Sequence, residues 1–296
     1  MSANIPSHYS REYATNVQLL LQQKGSKLRQ AVTHGMYVGD QASPVDQIDS
    51  VEAQQVTTRF GAMPRVDAAV ARRWVFPTSY DLPQLIDKFD KLKLLTDPES
   101  QYVHNAVMGM GRKMDRSIIT AFTAAASTGV NGATSTSFTA GNEVDVAVGG
   151  TNSRLNVQKL LAVKELIRAN HIDPSEDPVF VGLTAKDESA LLQEIQIVNR
   201  DYADSVVLKE GKLERFLGLN FVYCELIESV AAGTNEVNVP VWAQSGMHLG
   251  MWADVATSIS TRNDLQGEPW QAYVYATFGA TRLDEEKVFN IESYRA

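Results

Sequence analysis

The side chains that could carry out catalysis or bind metal are few and stand far apart in this sequence. No two histidines have the spacing at which imidazoles share a metal ion. Nucleophile elbows, zinc-protease pairs, Walker loops and Cys-x-x-Cys pairs are all missing from the sequence. The sequence therefore predicts no enzyme activity, no cofactor and no metal site. The histidines are His8, His34, His104, His171 and His248.

Three smaller signals favour structural roles over chemistry. Cys224 is the only cysteine and ends an apolar run typical of a strand, which predicts a buried thiol. His171 and Asp173 precede a proline, so we expect them to cap a helix end. Gly109 and Gly111 follow no strand and lack a third glycine, so close packing of another element explains them better than phosphate binding.

Basic and aromatic side chains form one cluster, where Arg72 and Arg73 directly precede Trp74. Charge beside a stacking ring could bind nucleic acid. A guanidinium could also bind an acidic or carbonyl-rich surface of a neighbouring subunit, or pair within its own chain. With 27 basic and 35 acidic residues the net charge is −8, which argues against nucleic-acid binding because phosphate contacts need clustered cations.

The composition predicts a folded protein without a membrane span. The chain has 296 residues, 44% of them hydrophobic, enough for a sizeable core and two subdomains. No apolar run is long enough to cross a bilayer, and the N-terminus has no signal-peptide pattern. We expect synthesis in a reducing cytoplasm.

The first 75 residues are predicted to form an arm and a ribbon. An amphipathic helix interrupted by Gly25 is expected over residues 11–32, and its apolar face could pack on a neighbour or on the parent domain. Two extended runs between Val51 and Val75 flank residues 61–64, whose glycine and proline suit a hairpin turn. A two-stranded ribbon is marginal alone in water, so it needs another surface.

The strongest helix signal covers Thr96 to Ala126. Thr96 and Glu99 match a capping box, and Asp97-Pro98 offers an alternative start. Apolar residues recur every three or four positions, which predicts one buried stripe. The stripe consists of Val103, Val107, Met110, Met114, Ile118 and Phe122.

The rest of the chain predicts a compact α/β unit followed by strands. After a polar loop with one strand over residues 127–153, helix 156–170, strand 179–183, a helix capped by Thr184 and strand 219–226 alternate. Extended segments are then expected at 237–243, 246–252 and 270–280, the last with strict alternation.

One ordered set of residues resembles a signature found in a branch of the tailed-bacteriophage major capsid proteins, which have the Hong Kong 97-like shell fold. The run Phe278–Leu283 is similar to the C-terminal strand of the same branch. The signature positions are Arg72, Arg73, Trp74, Pro77, Tyr80, Asp81, Leu85, Ile86, Asp87, Asp90, Lys91, Leu92, Lys93, Leu95, Asp97, Pro98, Ser100, Tyr102, Val103 and Ala106.

The resemblance implies an α+β fold with five parts. These are an N-terminal arm over residues 1–45, an extended loop over 46–80, a peripheral domain over 81–153 whose spine helix covers about 97–126, an axial domain over 154–235, and C-terminal strands over 236–296 returning to the peripheral domain. It also implies a head protein that assembles as pentamers and hexamers into an icosahedral shell around double-stranded DNA, in the host cytoplasm.

The implied partners are further copies of the chain, a scaffolding protein, a portal and a decoration protein, with no membrane and no specific DNA site. An encapsulin-type nanocompartment shares the fold and is the main alternative; a cytosolic α/β enzyme is a remote one. In the extended-loop interpretation, the ribbon residues expected to contact a neighbouring subunit are Arg59, Phe60, Arg65, Arg72, Arg73 and Trp74.

Overall fold

The computed structural model describes residues 22–53, 55, 59, 65–86, 99–194, 213–227 and 235–295. The helices and strands in these residues are β1 (Thr33–Met36), β2 (Ala42–Ile48), β3 (Val70–Val75), β4 (Thr78–Ile86), α1 (Glu99–Thr123), β5 (Ala126–Thr128), β6 (Thr134–Thr136), β7 (Glu143–Val144), α2 (Val157–Ala169), β8 (Val179–Leu183), α3 (Ala185–Leu192), β9 (Arg215–Phe216), β10 (Leu219–Tyr223), β11 (Glu236–Ala243), β12 (Met247–Thr261), β13 (Trp270–Arg282) and β14 (Val288–Tyr294).

The long helix α1 packs on a sheet with strand order β1-β12-β13-β4. Its 25 residues extend for roughly 37 Å at 1.5 Å per residue. Met110, Met114, Ile118 and Phe122 are buried against alternate residues of β13, which confirms that part of the predicted stripe. The predicted cap at Thr96–Pro98 lies outside the described residues.

Residues 22–32, which precede β1, pack on their own chain rather than standing away as an arm. Leu28 and Val32 are buried in the core beneath α1. The helix expected up to Val32 is wrong for residues 22–32, where the only helical turn is the 3-10 turn Arg29–Ala31. Residues 11–21 lie outside the described part of the chain.

A glycine on α1 explains how closely this segment approaches. A Cβ at Gly111 would lie 2.6 Å from the backbone carbon of Gly25, so only hydrogen fits there. Gly25 itself has φ +69, in the left-handed region that favours glycine. The predicted close packing at Gly111 is therefore confirmed.

A six-stranded sheet, ordered β7-β14-β11-β8-β10-β9, separates two hydrophobic cores. One face packs with α2 and α3, through residues such as Val181 and Val241. The other face joins the core of α1, where the Phe122 and Trp242 rings lie 4.6 Å apart.

This sheet corrects one prediction about the C-terminal strands, which were all expected to return to the unit of α1. β12 and β13 do lie in the α1 sheet, but β11 pairs with β8 and β14 pairs with β11. The C-terminal part of the chain therefore contributes to both sheets. The segments around β8, α3 and β10 form the α/β unit as predicted.

The predicted caps of the α/β unit are confirmed. Thr184 and Asp187 form a capping box at the start of α3. His171 takes φ 59 after α2, and its N–H donates to the carbonyl of Arg168 at 3.1 Å. Asp173 lies in the turn beyond the helix, where it accepts from the backbone N–H of Ser175 and pairs with Arg168 of the last helical turn at 3.7 Å.

The third sheet has the order β2-β3-β5-β6 and carries the stem of the predicted ribbon. β2 and β3 are antiparallel, with Ile48 opposite Val70, and a further bond joins the Asp49 N–H to the Ala69 carbonyl at 2.8 Å. The first strand therefore lies before Val51, earlier than expected. The predicted turn at 61–64 lies outside the described residues.

Candidate intersubunit surface

The two faces of the ribbon stem have opposite environments. Side chains alternate across a strand, so Arg73 and Val75 share one face while Val70, Arg72 and Trp74 share the other. Arg73 and Val75 are buried on their own chain. On the outer face the cross-strand pair Ile48 and Val70 is 73% and 70% exposed, an unusual amount of free apolar surface for adjacent residues.

Arg72 lies on the outer face and is neutralised locally. Its Nε and Nη2 donate to the two carboxylate oxygens of Asp46 at 2.5 and 2.8 Å, across the β2–β3 pair. The guanidinium also lies 5.7 Å from the ring centroid of Trp74. This bidentate pair orients the side chain but leaves it about half exposed.

Arg73 is 6% exposed and binds only within the chain among the contacts described. Its Nε donates to the Leu283 carbonyl at 2.9 Å, and its Nη2 lies 3.3 Å from Oε1 of Glu285. A buried side chain with these partners has no surface left for a neighbour. The intramolecular alternative, rather than the expected contact with another subunit, therefore describes Arg73.

Glu285 is shared between two guanidinium groups. Arg282 Nε donates to its Oε2 at 2.5 Å, while Arg282 Nη1 donates to the carbonyls of Phe122 and Ala124 at 2.7 and 2.9 Å. Those carbonyls lie at the C-terminal end of α1, where a cation complements the helix dipole. The Arg73–Glu285–Arg282 group thus joins the ribbon stem to the end of the long helix.

The remaining predicted ribbon residues are spread along the stem and its extension. Trp74 Nε1 donates to the Gly129 carbonyl at 2.7 Å, so its ring lies against the β5–β6 turn and is partly exposed. Arg59 is exposed, and Arg65 is exposed and pairs with Asp67 at 2.8 Å. Phe60 lies outside the described residues. Among the five described residues, Arg72 and Arg73 lie on opposite faces of the stem, so the structure does not bring these five to one point.

Sequence reasoning missed the partners of these arginines. Asp46 and Glu285 are separated from Arg72 and Arg73 by long stretches of sequence, so no local pattern connects them. The sequence places Arg282 in the run Phe278–Leu283 but does not indicate its partners Glu285, Phe122 and Ala124. Strand pairing alone, which places Asp46 opposite Arg72, would have identified the first partner.

Buried ionisable groups elsewhere are held by hydrogen bonds. His248 Nδ1 lies 2.9 Å from the Thr33 hydroxyl, and Nε2 lies 2.9 Å from the Tyr37 hydroxyl. Because Thr33 donates to the Met247 carbonyl, it accepts from Nδ1–H, and Nε2 accepts from Tyr37. Burial, with a smaller contribution from nearby His34, lowers the pKa of His248 to about 4.

Cys224 is buried, as predicted, and burial raises the pKa of its thiol, which makes it a poor nucleophile. No described helix is long and apolar enough to span a membrane. Among the described residues, no three metal-ligating side chains converge on one point.

Comparison with known proteins identifies the family. The profile of the family described as phage capsid protein matches residues 5–294. No curated protein sequence matches the chain significantly.

Solved capsid structures share the fold at low sequence identity. The capsid protein of cyanophage Pam1 is 10% identical and has a TM-score of 0.75, with 99% of this chain and 98% of that chain covered. The capsid of cyanophage P-SCSP1u is 13% identical, with a TM-score of 0.74 over 98% of this chain and 93% of that chain. The capsid of Ralstonia phage GP4 is 10% identical, with a TM-score of 0.70 over 100% and 98%.

These structures confirm the α+β, Hong Kong 97-like capsid fold that the sequence predicted. The family match favours a phage capsid over a nanocompartment shell. Because the family profile covers nearly every residue, this chain belongs to the phage capsid protein family.

Proposed function

We propose that this chain is the major head protein of a tailed phage, whose copies form pentamers and hexamers and then an icosahedral shell around double-stranded DNA. The observation that carries the proposal is the extent of the match. The family profile spans residues 5–294, and the Pam1 capsid chain is covered over 98% of its length. No large part of the chain is left over for a separate activity, and its role is structural rather than enzymatic.

In this assignment the parts of the subunit have distinct tasks. Residues 1–45 are the N-terminal arm, of which residues 22–36 pack on the subunit itself, and residues 46–80 are the extended loop. Residues 81–153 with β12 and β13 form the peripheral domain, and residues 154–235 with β11 and β14 form the axial domain. The six-stranded sheet contributes residues to both hydrophobic cores, which supports a subunit that behaves as one rigid unit.

The ribbon is proposed to lie on a neighbouring subunit. The exposed pair Ile48 and Val70 supports this, because adjacent apolar side chains gain stability when covered. Arg59, Phe60, Arg65, Arg72 and Trp74 are the proposed contact residues. Arg73 is assigned to the support of the stem instead, since it is buried.

Assembly in the host cytoplasm, with a scaffolding protein, a portal and a decoration protein, completes the proposal. The direct test is expression of the chain alone and with a scaffolding protein encoded beside it, followed by electron microscopy and native mass spectrometry. We expect pentamers, hexamers or closed shells. A stable monomer under all these conditions would overturn the proposal, and shells that enclose protein cargo instead of DNA would favour the nanocompartment.

The ribbon contact has its own test. Replacing residues Phe60–Arg65 with a short Gly-Ser turn should leave the circular dichroism of the subunit unchanged and impair shell formation. Limited proteolysis before and after assembly provides the second measurement, and cleavage between residues 51 and 69 should slow on assembly. Equal cleavage in both states would show that the ribbon makes no contact with a neighbour.

A further inference from the structure

An acidic groove lies at the base of the ribbon stem. It has a volume of about 340 Å³ and is lined by residues 47–49 and 69–71 of the ribbon and by residues 284–286 of a 3-10 turn. Four carboxylates line it, against one guanidinium, that of Arg73. The carboxylates belong to Asp49, Asp284, Glu285 and Glu286.

These carboxylates differ in how many ion pairs and hydrogen bonds they already make within the subunit. Glu285 binds Arg73 and Arg282, and Asp284 accepts from the N–H of Glu286 at 3.1 Å. Asp49 and Glu286 are exposed at the rim, and Asp49 accepts only the adjacent Ser50 N–H among the hydrogen bonds described. A carboxylate has acceptor capacity for about four hydrogen bonds, so both retain room for a cationic donor.

The rim also offers apolar surface. Ala69 and Ala71, which are exposed and lie on the same face of the ribbon stem as Arg73, line the groove beside the carboxylates, whereas the side chains of Ile48 and Val70 lie on the opposite face. An arginine suits this combination, because its methylene stem packs on apolar groups while its guanidinium binds carboxylates. A bare metal ion suits it poorly, since no described group of three acidic, histidine or cysteine side chains converges here.

Arg65 of the same ribbon has a different partner within the single subunit. The Asp49–Ala69 hydrogen bond closes the base of the ribbon, and Arg65 lies four residues beyond it. Four residues can span up to roughly 13 Å, and among the described contacts Arg65 binds Asp67 rather than a carboxylate of the groove. Both side chains of this pair are largely exposed. Such an exposed pair adds little to stability and is readily exchanged for another partner.

We propose that the acidic groove receives Arg59 and Arg65 from the ribbon of a second copy of this chain. The inference rests on the proposed function and names the counter-surface of the ribbon. One end of the ribbon carries the cations and the other end carries the acidic groove, so the contact runs head to tail. A head-to-tail contact between identical subunits closes into a ring when the rotation allows, as pentamers and hexamers require.

Charge reversal tests the pairing within the full-length chain. The variant Asp49→Arg with Glu286→Arg should need a roughly tenfold higher protein concentration for half-assembly. The variant Arg59→Glu with Arg65→Glu should show a similar loss. Combining all four substitutions restores opposite charges, so assembly should recover. Native mass spectrometry and sedimentation measure the assembled fraction, and circular dichroism checks the fold.

A matched control reverses two exposed carboxylates away from the groove. Asp145→Arg with Glu165→Arg changes the net charge by the same amount, and Asp145, like Asp49, accepts a local backbone N–H. This variant should assemble at the concentration of the unmodified chain. Equal losses in the control and the groove variant would overturn the proposal, because net charge alone would then explain them.

A crosslink provides a measurement that does not depend on charge reversal. A chain with Arg65→Cys is mixed with a chain with Glu286→Cys, assembled and oxidised; native Cys224 is buried and should not interfere. A mixed disulfide dimer is expected only in the assembled material. Normal assembly without this dimer, or without recovery in the fourfold variant, would overturn the docking alone. Failure of the unmodified chain to assemble would overturn the proposed function and the docking together.

Discussion

Asp115 is a buried carboxylate that fastens the N-terminal segment to α1. It is 0% exposed and accepts from Gln23 Nε2 at 2.5 Å, from the Ser26 hydroxyl at 2.5 Å, and from the backbone N–H groups of Lys27 and Leu28 at 3.0 and 3.1 Å. Removing the acceptor leaves several buried donors unpaired. Asp115→Ala should therefore lower the free energy of unfolding by about 3 kcal/mol, measured in urea.

The control for this variant is Arg116→Gln, one residue further on the exposed side of the helix. It should change the free energy of unfolding by less than about 0.5 kcal/mol. Limited proteolysis should also cleave residues 22–32 faster in Asp115→Ala than in the control. Equal unfolding curves for the two variants would show that the carboxylate does not hold this segment.

His248 predicts a specific pH dependence of stability. Its pKa is about 4 in the folded subunit, lowered by burial, against an ordinary value of 6.5. Above pH 6.5 both states are neutral at this site. As the pH falls from 6.5 to 4, the unfolded state binds the proton first, so stability falls by up to about 3 kcal/mol and then levels off.

Comparison with two variants isolates this contribution from the titrating carboxylates. His248→Gln should remove the extra loss between pH 6.5 and 4, whereas His104→Gln, at an exposed position on α1, should keep it. Urea unfolding at several pH values gives the difference. If His248→Gln loses as much stability on acidification as the unmodified chain, the histidine is not the group responsible.

At the level of residues, the sequence predicted the structurally important residues more reliably than it predicted their contact partners. The buried thiol of Cys224, the cap at Thr184 and the tight packing at Gly111 follow from local patterns and are confirmed. The Arg72–Asp46 ion pair depends on how β2 and β3 pair, and the Arg73–Glu285 ion pair depends on a turn more than 200 residues away. Local sequence patterns contain neither kind of information.

Among the elements, α1 provides a matched pair of glycines. A Cβ at Gly111 would meet backbone atoms of Gly25 and Ser26 at 2.6 to 2.8 Å, whereas a Cβ at Gly109 would have ordinary contacts of 3.4 and 3.5 Å with flexible side chains. Gly111→Ala should destabilise the subunit by about 1 to 3 kcal/mol through overpacking. Gly109→Ala should be neutral or stabilising by up to about 1 kcal/mol, since alanine favours helix.

Thermal unfolding monitored at 222 nm separates the two glycine variants. The comparison is sharp because helix propensity alone predicts the same gain for both. Two equally stabilised variants would mean that the N-terminal segment does not approach α1 as closely as the structure places it.

The helices were easier to predict than the sheets. Periodic stripes and caps predicted α2 to within one residue at each end, the C-terminal end of α1 to within three residues and the start of α3, because these signals are local, whereas the helix expected over residues 22–32 was wrong. β11 and β14 are largely buried on both faces although one face of each carries polar residues, so alternation in the sequence did not show which sheet they join. The sheet assignment was wrong there because it depends on pairing with β8, far away in the sequence.

For the whole molecule, the acidic balance predicts weak contact with DNA. With a net charge of −8, free subunits should bind duplex DNA with a dissociation constant weaker than about 1 μM at physiological salt, and the binding should fall steeply as salt rises. Fluorescence anisotropy with a labelled duplex measures both quantities. Tight binding that persists at high salt would reveal a dedicated nucleic-acid site.

The order in which strands enter the six-stranded sheet has a consequence for synthesis of the chain. β14 lies between β7 and β11, in the interior of the sheet, although it follows all the other described strands in the sequence. β1 likewise waits for β12, its parallel partner more than 200 residues later. A nascent chain therefore cannot complete the six-stranded sheet before Val288–Tyr294 emerge, and it cannot complete the α1 sheet before Trp270–Arg282 emerge. Truncated translation products would lack β14 and could not complete the six-stranded sheet. We therefore expect incomplete subunits to be excluded from assembly.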